Sequence, residues 1–259
     1  MEFTTDKNLL YRHFEKDPVL FGYHIGDLDD FYFGDCRWAA NLDDEGQISE
    51  SILIYDGLTV PTVLAFGSGR HLDNLLEELL PVLPDRFYCH FQREYRPIFL
   101  RRFTEEPLGT HCKMKLELPA CHRLNVSYDR IVRLDLSNSE KLIDLYNRSY
   151  PGNYFDVRLL RTRKYFGYFD GGRIIAASGI HVYSDEYNIA VLGNIVTDPD
   201  YRNRGLATAV TSRLVDELLS EGKLIMLNVG AVNHPAIKCY RRLGFKKVHE
   251  YEESIFTTR

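Results

Sequence analysis

Residues 164–197 read KYFGYFD-GG-RIIAASGIHVYS-DEY-NIAVLGNIVT, three apolar-rich runs separated only by short turns. Gly171-Gly172 suits a two-residue hairpin turn, whose central positions favour a backbone that glycine adopts without strain. Strands joined this closely pair antiparallel. Downstream, Leu206, Val210, Leu214 and Leu218 recur at every fourth position and Gly222 follows, which predicts an amphipathic helix with a glycine stop. A strand is expected over 223–229, a second helix from Asn233, and a terminal strand over 246–256. Upstream, 129–137 alternates as a strand, and Ser137 with Glu140 forms the S-x-x-E box expected to open a helix through Tyr146. A loop over 149–156, broken by Pro151 and Gly152, leads to a short helical stretch over 157–163.

The first half repeats this rhythm more loosely. Strands are expected over 36–42, 47–57 and 59–69, then a helix over 70–80, a strand over 86–92, a helix over 95–103 and a strand over 111–118. Three strands, helix, strand, helix, strand occurs twice, which suggests an internal duplication. The fold class is therefore α/β of the α+β kind, a mixed, mostly antiparallel sheet flanked by helices. The boundary is expected near Pro119, giving domains 1–122 and 126–259. At 259 residues the chain has room for two domains of ordinary size.

Composition narrows the function. A net charge of -5 argues against a protein built for a nucleic-acid backbone or an anionic membrane surface. No apolar run approaches the roughly 20 residues that span a bilayer, and the N-terminus, MEFTTDKNLLYRHFEKD, has no apolar core of a secretory signal. The five cysteines form no C-x-x-C pair, so they read as reduced thiols of a cytoplasmic protein. No metal site is expected: His90 adjoins Cys89 and His111 adjoins Cys112, but strand neighbours point to opposite faces.

The stretch DPDYRNRGLATAV, 198–210, stands between a strand and the amphipathic helix. At a helix start the first backbone N–H groups have no partner within the helix, and the macrodipole is positive there. A diphosphate can take those N–H groups if no side chain blocks the approach. Gly205 and Ala207 leave the approach open, and Arg202 and Arg204 add charged donors. Alone, the same residues would also suit a tight turn. Downstream, Asn233 suits an N-cap, Pro235 the first helical turn, and Gly244 the position after the helix.

Taken together, these pieces resemble the GCN5-related N-acetyltransferase (GNAT) superfamily over 193–245. The cofactor motif R/Q-x-x-G-x-G/A is met by Arg202, Gly205 and Ala207, and the later motif by Asn233, Ala236, Tyr240 and Leu243-Gly244-Phe245. The first half matches only in its order of elements and has GSGRH where the second has YRNRGLA. The resemblance implies two GNAT-like domains in tandem, the first a degenerate copy and the second catalytic. It implies acetyl-CoA as co-substrate, with pyrophosphate on the amides of Asn203, Arg204, Gly205, Leu206, Ala207 and Thr208. Pantetheine would pair along Ile195, Val196 and Thr197, beside a bulge at Gly193 or Asn194, and bond Asn233. Tyr240 would protonate the departing thiolate, and the N–H of Val196 or Thr197 would hold the oxyanion.

The base is open among His181, Asp185, Glu186 and a water ordered by Asn194. The acceptor is expected to be a primary amine on a small molecule or peptide, met by a monomer or homodimer. High aromatic content, 13%, suggests large buried or pocket-lining rings, and Tyr150, Tyr154 and Phe155 would suit either an acceptor wall or simple packing. Two other readings fit the same motifs: an amino-acid N-acyltransferase using a longer acyl-CoA, and a CoA-binding sensor without turnover.

Overall fold

The computed structural model describes residues 1–67, 69–117 and 128–259; the expected domain boundary, with Pro119 and Cys121, lies outside the described residues. In chain order the first half contains β1 (Glu2–Thr4), α1 (Lys7–Phe14), α2 (Gly22–Gly26), α3 (Asp30–Phe33), β2 (Cys36–Leu42), β3 (Ile48–Tyr55) and β4 (Thr62–Ala65). It continues with α4 (Arg70–Leu79), β5 (Arg86–Phe91), α5 (Arg96–Phe99) and β6 (Phe103–Leu116). The second half contains β7 (Ile131–Arg133), α6 (Ser139–Ser149), β8 (Phe166–Asp170), β9 (Arg173–Ser184) and β10 (Ile189–Thr197). It ends with α7 (Leu206–Ser220), β11 (Leu224–Gly230), α8 (His234–Arg242) and β12 (Phe245–Thr258).

Two compact units result, and neither is one continuous stretch. The first comprises Met1–Lys113, Gly230–Val232 and Val248–Arg259; the second comprises Met114–Val229 and Asn233–Lys247. In the first unit the strands run β1-β2-β3-β4-β5-β12-β6. The meander β1 to β4 is antiparallel, β4 and β5 pair in parallel, and β12 lies antiparallel to β5. The chain's last strand thus completes the unit built by its first residues. In the second unit the order is β11-β10-β9-β8-β7, again an antiparallel meander followed by one parallel pair, β10 with β11. This is the mixed, mostly antiparallel α+β class expected from the sequence.

Local chemistry explains the elements. In α4, Leu72, Leu75, Leu76 and Leu79 fall on one face and are buried with Ile52, Ile54, Val63, Phe87, Phe91, Phe99 and Phe256. Phe256 of β12 lies against Phe99 at 4.8 Å between ring centroids, so the C-terminal strand is part of that core. In the second unit, Val210, Leu214 and Leu218 of α7 are buried, and the helix packs on β8, β9 and β10. α6 packs on β9 and β10 and buries Leu142, Leu145 and Tyr146.

Some expectations are corrected. The capping box is made by Asp135 and Asn138, not Ser137 and Glu140: Asp135 Oδ1 accepts from Ser137 N at 2.9 Å and Asn138 Oδ1 from Asp135 N at 3.0 Å. A 3₁₀ turn, Leu136–Asn138, intervenes, so α6 starts later and runs on to Ser149. The helix expected over 95–103 is only one turn, because Phe103 already belongs to β6. The helices α1 to α3 were not foreseen.

Candidate active site

The bulge expected at Gly193 or Asn194 is present. Pairing of β10 with β9 shifts register between Gly193 and Val196, and Asn194 takes φ 54°. Asparagine tolerates this left-handed backbone better than most residues. Two tyrosines hold the bulge: Tyr146 OH donates to Asn194 O at 2.8 Å, and Asn194 Nδ2 donates to Tyr165 OH at 2.9 Å. Tyr165 OH in turn donates to Ile180 O at 2.7 Å. The Asn194 amide nitrogen is thereby committed to structure rather than to ordering a proton-carrying water.

The parallel ladder of β10 with β11 runs from Ile189↔Leu224 to Leu192↔Leu227. Beyond it, Val196 and Thr197 pair with Ala177 and Ala176 of β9, and among the described residues no β11 partner is present for Ile195, Val196 or Thr197. The parallel ladder thus stops just ahead of the bulge, where the bulged strand bends. Thr197 Oγ1 on β10 and Asn228 Nδ2 on β11 are buried and, among the described residues, without a hydrogen-bond partner. Buried polar atoms in folded proteins are seldom left so. Asn228 was missed in the sequence, where the one amide in LIMLNV was the available signal.

Past Thr197, the turn Pro199–Tyr201 is capped by Asp198, which also pairs with Arg148. Arg148 donates to Ile174 O at 2.9 Å as well, so the turn is anchored to β9. Then Asn203 takes φ 61° and Gly205 φ 77°, and Gly205 opens α7 with no side-chain cap. The first intrahelical bond to Gly205 O comes from Ala209 N, at 3.0 Å. The amides of Leu206, Ala207 and Thr208 therefore precede the helical ladder. Left-handed residues alternating ahead of a helix turn successive N–H groups toward one concavity, an anion-binding arrangement. A Cβ on Gly205 would meet nothing within 4 Å, so the front of the concavity is open.

Both arginines border it. Arg202 reaches Thr197 O at 3.4 Å and Ser149 O at 3.5 Å, whereas Arg204 reaches Asp200 O at 3.0 Å. Among the described residues neither forms an ion pair, so their charges remain for an anion.

α8 supplies the remaining residues. Asn233 Oδ1 accepts from Ala236 N at 3.3 Å and caps the helix, Pro235 lies in its first turn, and Gly244 follows it at φ 97°. Asn233→Ala is expected to cost about 1 kcal/mol of stability through the lost cap, read by thermal unfolding without ligand. Thr208 Oγ1 lies 3.1 Å from Cys239 Sγ, tying the start of α7 to α8. Tyr240 is 7% exposed and sets its ring edge-on to Phe245 at 6.1 Å. Burial pushes its phenol pKa up, so the proton stays on at neutral pH. Among the described residues its hydroxyl has no hydrogen-bond partner.

The candidate bases separate. His181 lies across Gly193, where a Cβ would come within 2.0 Å of its ring, and burial lowers its pKa to about 4. It is a neutral imidazole beside the bulge. Asp185 sits in a turn, 82% exposed, and pairs with Lys223; Glu186 is exposed in the same turn. Tyr150 and Tyr154 are exposed, while Phe155 packs between Tyr146 at 5.0 Å and Tyr165 at 5.6 Å.

Past the parallel pair of β4 and β5, Gly67 N donates to Gln92 Oε1 at 2.9 Å, and Tyr95 OH donates to Gly67 O at 3.4 Å. Among the described residues, no helix is long and apolar enough to cross a membrane.

Residues 132–245 match the acetyltransferase (GNAT) family. The chain is similar to the [ribosomal protein bS18]-alanine N-acetyltransferase of Escherichia coli K12, 40% identical over 77 residues, which are 29% of this chain and 50% of that protein. The match thus spans about half the length of that relative. A Drosophila protein of solved structure superposes with a TM-score of 0.74 at 15% identity, covering 99% of this chain and 98% of that one. A tandem GNAT protein from the clavulanic acid biosynthesis pathway gives 0.61 at 12% identity, covering 96% and 92%. At these identities the two structures establish the fold.

Proposed function

We propose that this chain, whose residues 132–245 match the acetyltransferase (GNAT) family, moves an acetyl group from acetyl-CoA to a primary amine by direct attack within a ternary complex. The observation that carries the reading is the end of the β10/β11 ladder at the bulge, followed by Asn203 and Gly205 at positive φ and the uncapped start of α7. A linear ligand with amides at one end and a diphosphate at the other fits that sequence of partners.

Acetyl-CoA supplies the acetyl group as a thioester. The amides of Asn203 through Thr208, with Arg202 and Arg204, hold the diphosphate. The backbone of Ile195, Val196 and Thr197 pairs with pantetheine, and Asn233 adds a polar contact. The N–H of Val196 or Thr197 stabilises the oxyanion as the amine nitrogen bonds to the carbonyl carbon. The carbon–sulfur bond then breaks, Tyr240 gives its proton to sulfur, and the nitrogen releases one proton. Neutral His181 stands at the bulge as a candidate to receive it, though its lowered pKa makes it a weak base.

The first unit is read as a copy without this activity, because Gln92 and Tyr95 occupy the backbone groups of Gly67 that correspond to the pantetheine edge. Incubating the chain with acetyl-CoA and a panel of amines, amino acids and peptides, and measuring free thiol, tests the whole reading. Amine-dependent thiol release is expected. CoA binding without release toward any primary amine would reduce the chain to a binding protein.

A further inference from the structure

In the second unit, β9 and β10 carry two bulges that offset each other. The register steps from Val191↔Val182 to Leu192↔Ile180, which leaves His181 over on β9. It then steps from Gly193↔Gly179 to Val196↔Ala177, which sets Asn194 and Ile195 opposite Ser178 alone. Two facing glycines lie between the bulges. A Cβ on Gly193 would meet the His181 ring at 2.0 Å, and one on Gly179 the Tyr165 ring at 2.0 Å. Both rings thus occupy space that the glycines leave free.

The second bulge is held at Asn194. That residue is buried, so its backbone carbonyl needs a partner inside the protein. Tyr146 of α6, also buried, supplies one by donating from its hydroxyl at 2.8 Å. Tyr165 fixes the Asn194 side chain. Its hydroxyl gives its one hydrogen to Ile180 O, so toward Asn194 it can only accept, and the amide must present Nδ2 to it. Asn194 Nδ2 also lies 3.4 Å from Ile180 O.

These bonds aim a group that they do not touch. The Asn194–Ile195 peptide is trans and planar, so the N–H of Ile195 points opposite to the Asn194 carbonyl. Tyr146 therefore turns that N–H away from its own hydroxyl. Farther along, Asp198 N donates to Ile175 O at 2.9 Å. Successive N–H groups of an antiparallel strand alternate in direction, so that of Val196 faces β9 and that of Thr197 faces away from it. Ile195 lies two residues before Thr197, but the bulge interrupts the alternation there. The peptide that Tyr146 holds sets its direction instead.

We propose that Tyr146 and, through the Asn194 side chain, Tyr165 are positioning residues for acetyl transfer, and that the group they aim is the N–H of Ile195, a donor to the acetyl carbonyl oxygen. The inference rests on the acetyl-CoA reading above and adds Ile195 to the oxyanion donors named there. A donor held at a fixed angle stabilises developing charge without reorganising during the reaction. A bulge held from two sides by buried hydroxyls meets that requirement.

Isotope-edited infrared spectroscopy of the full chain, with acetyl-CoA carrying a heavy carbon isotope at the acetyl carbonyl, tests it without any acceptor. In the parent the bound carbonyl is expected to absorb at lower frequency than in buffer. Tyr146→Phe should lose most of that shift, while the Kd for CoA, which lacks the acetyl group, stays within about twofold of the parent by calorimetry. Tyr165→Phe leaves Asn194 Nδ2 its contact with Ile180 O and should lose a smaller part. A parent that binds no acetyl-CoA overturns the acetyl-transfer reading and this inference with it. A parent that binds acetyl-CoA with the frequency found in buffer overturns this inference alone, as does a Tyr146→Phe protein that keeps the whole shift. Loss of the shift together with a matching loss of CoA affinity makes the two tyrosines structural and also overturns it. Should Tyr146→Phe not fold, Tyr165→Phe decides, and a shift equal to that of the parent overturns the assignment.

Discussion

Tyr240→Phe is expected to lower kcat by about 10²-fold, within the usual range for loss of an acid–base group, while KM for acetyl-CoA changes little. The structure makes the substitution a clean one. The hydroxyl has no hydrogen-bond partner among the described residues, so removing it orphans nothing, and the ring keeps its edge-on contact with Phe245. Stability should therefore hardly move. Burial raises the phenol pKa, which keeps the proton available but weakens the donor in the resting protein. Negative charge growing on sulfur in the transition state offsets that weakness, because charge–dipole terms are strong in a dry site. A thioester with a better leaving group needs less protonation and should recover most of the lost rate. A packing tyrosine predicts parental kcat and no dependence on the leaving group; that result would leave the proton to water.

Much of the backbone around the candidate site was legible because it is built from local signals. β9 has the boundaries expected from alternation and from Gly171-Gly172, which take φ 52° and 80°, and β10 starts one residue later than expected, at Ile189. The start of α7 was marked by Gly205, and that of α8 by Asn233, since both caps are one-residue chemistry. Other features depend on partners distant in sequence. Asn228 lies one residue past the last β10–β11 pair, a position set by where the bulge falls in β10. Nothing in 246–256 tells which unit the strand joins, since alternation is the same against any neighbour; Phe256 is committed by Phe87, Phe91 and Phe99, more than 150 residues away. The helices α1 to α3 did leave one signal. Asp6 accepts from Asn8 N and Leu9 N at 2.9 and 3.0 Å, and Leu10 and Phe14 follow at helical spacing. The misplaced capping box has the opposite cause: two overlapping candidate boxes lie within six residues, and only tertiary position chooses between them.

Gly205→Glu is expected to weaken CoA binding by at least ~2 kcal/mol, about thirtyfold in Kd, without loss of the fold. Three effects act together. Any L-residue at φ 77° is strained by about 1–2 kcal/mol. A carboxylate at a helix start is attracted by the macrodipole and by the amides of Leu206, Ala207 and Thr208, which returns part of that strain. The same attraction makes the new side chain a competitor for the groups that would hold the diphosphate, and a like charge beside it. Gly205→Ala separates the terms: its Cβ meets nothing within 4 Å, so it carries the backbone strain and leaves the concavity open. Calorimetry should then find Ala close to the parent in CoA affinity and Glu far weaker. The parent should bind one CoA per chain, because the Gly67 backbone in the first unit is already taken by Gln92 and Tyr95. Unchanged affinity in a folded Gly205→Glu protein, or two CoA per chain in the parent, would remove the cradle of the second unit from its assigned role.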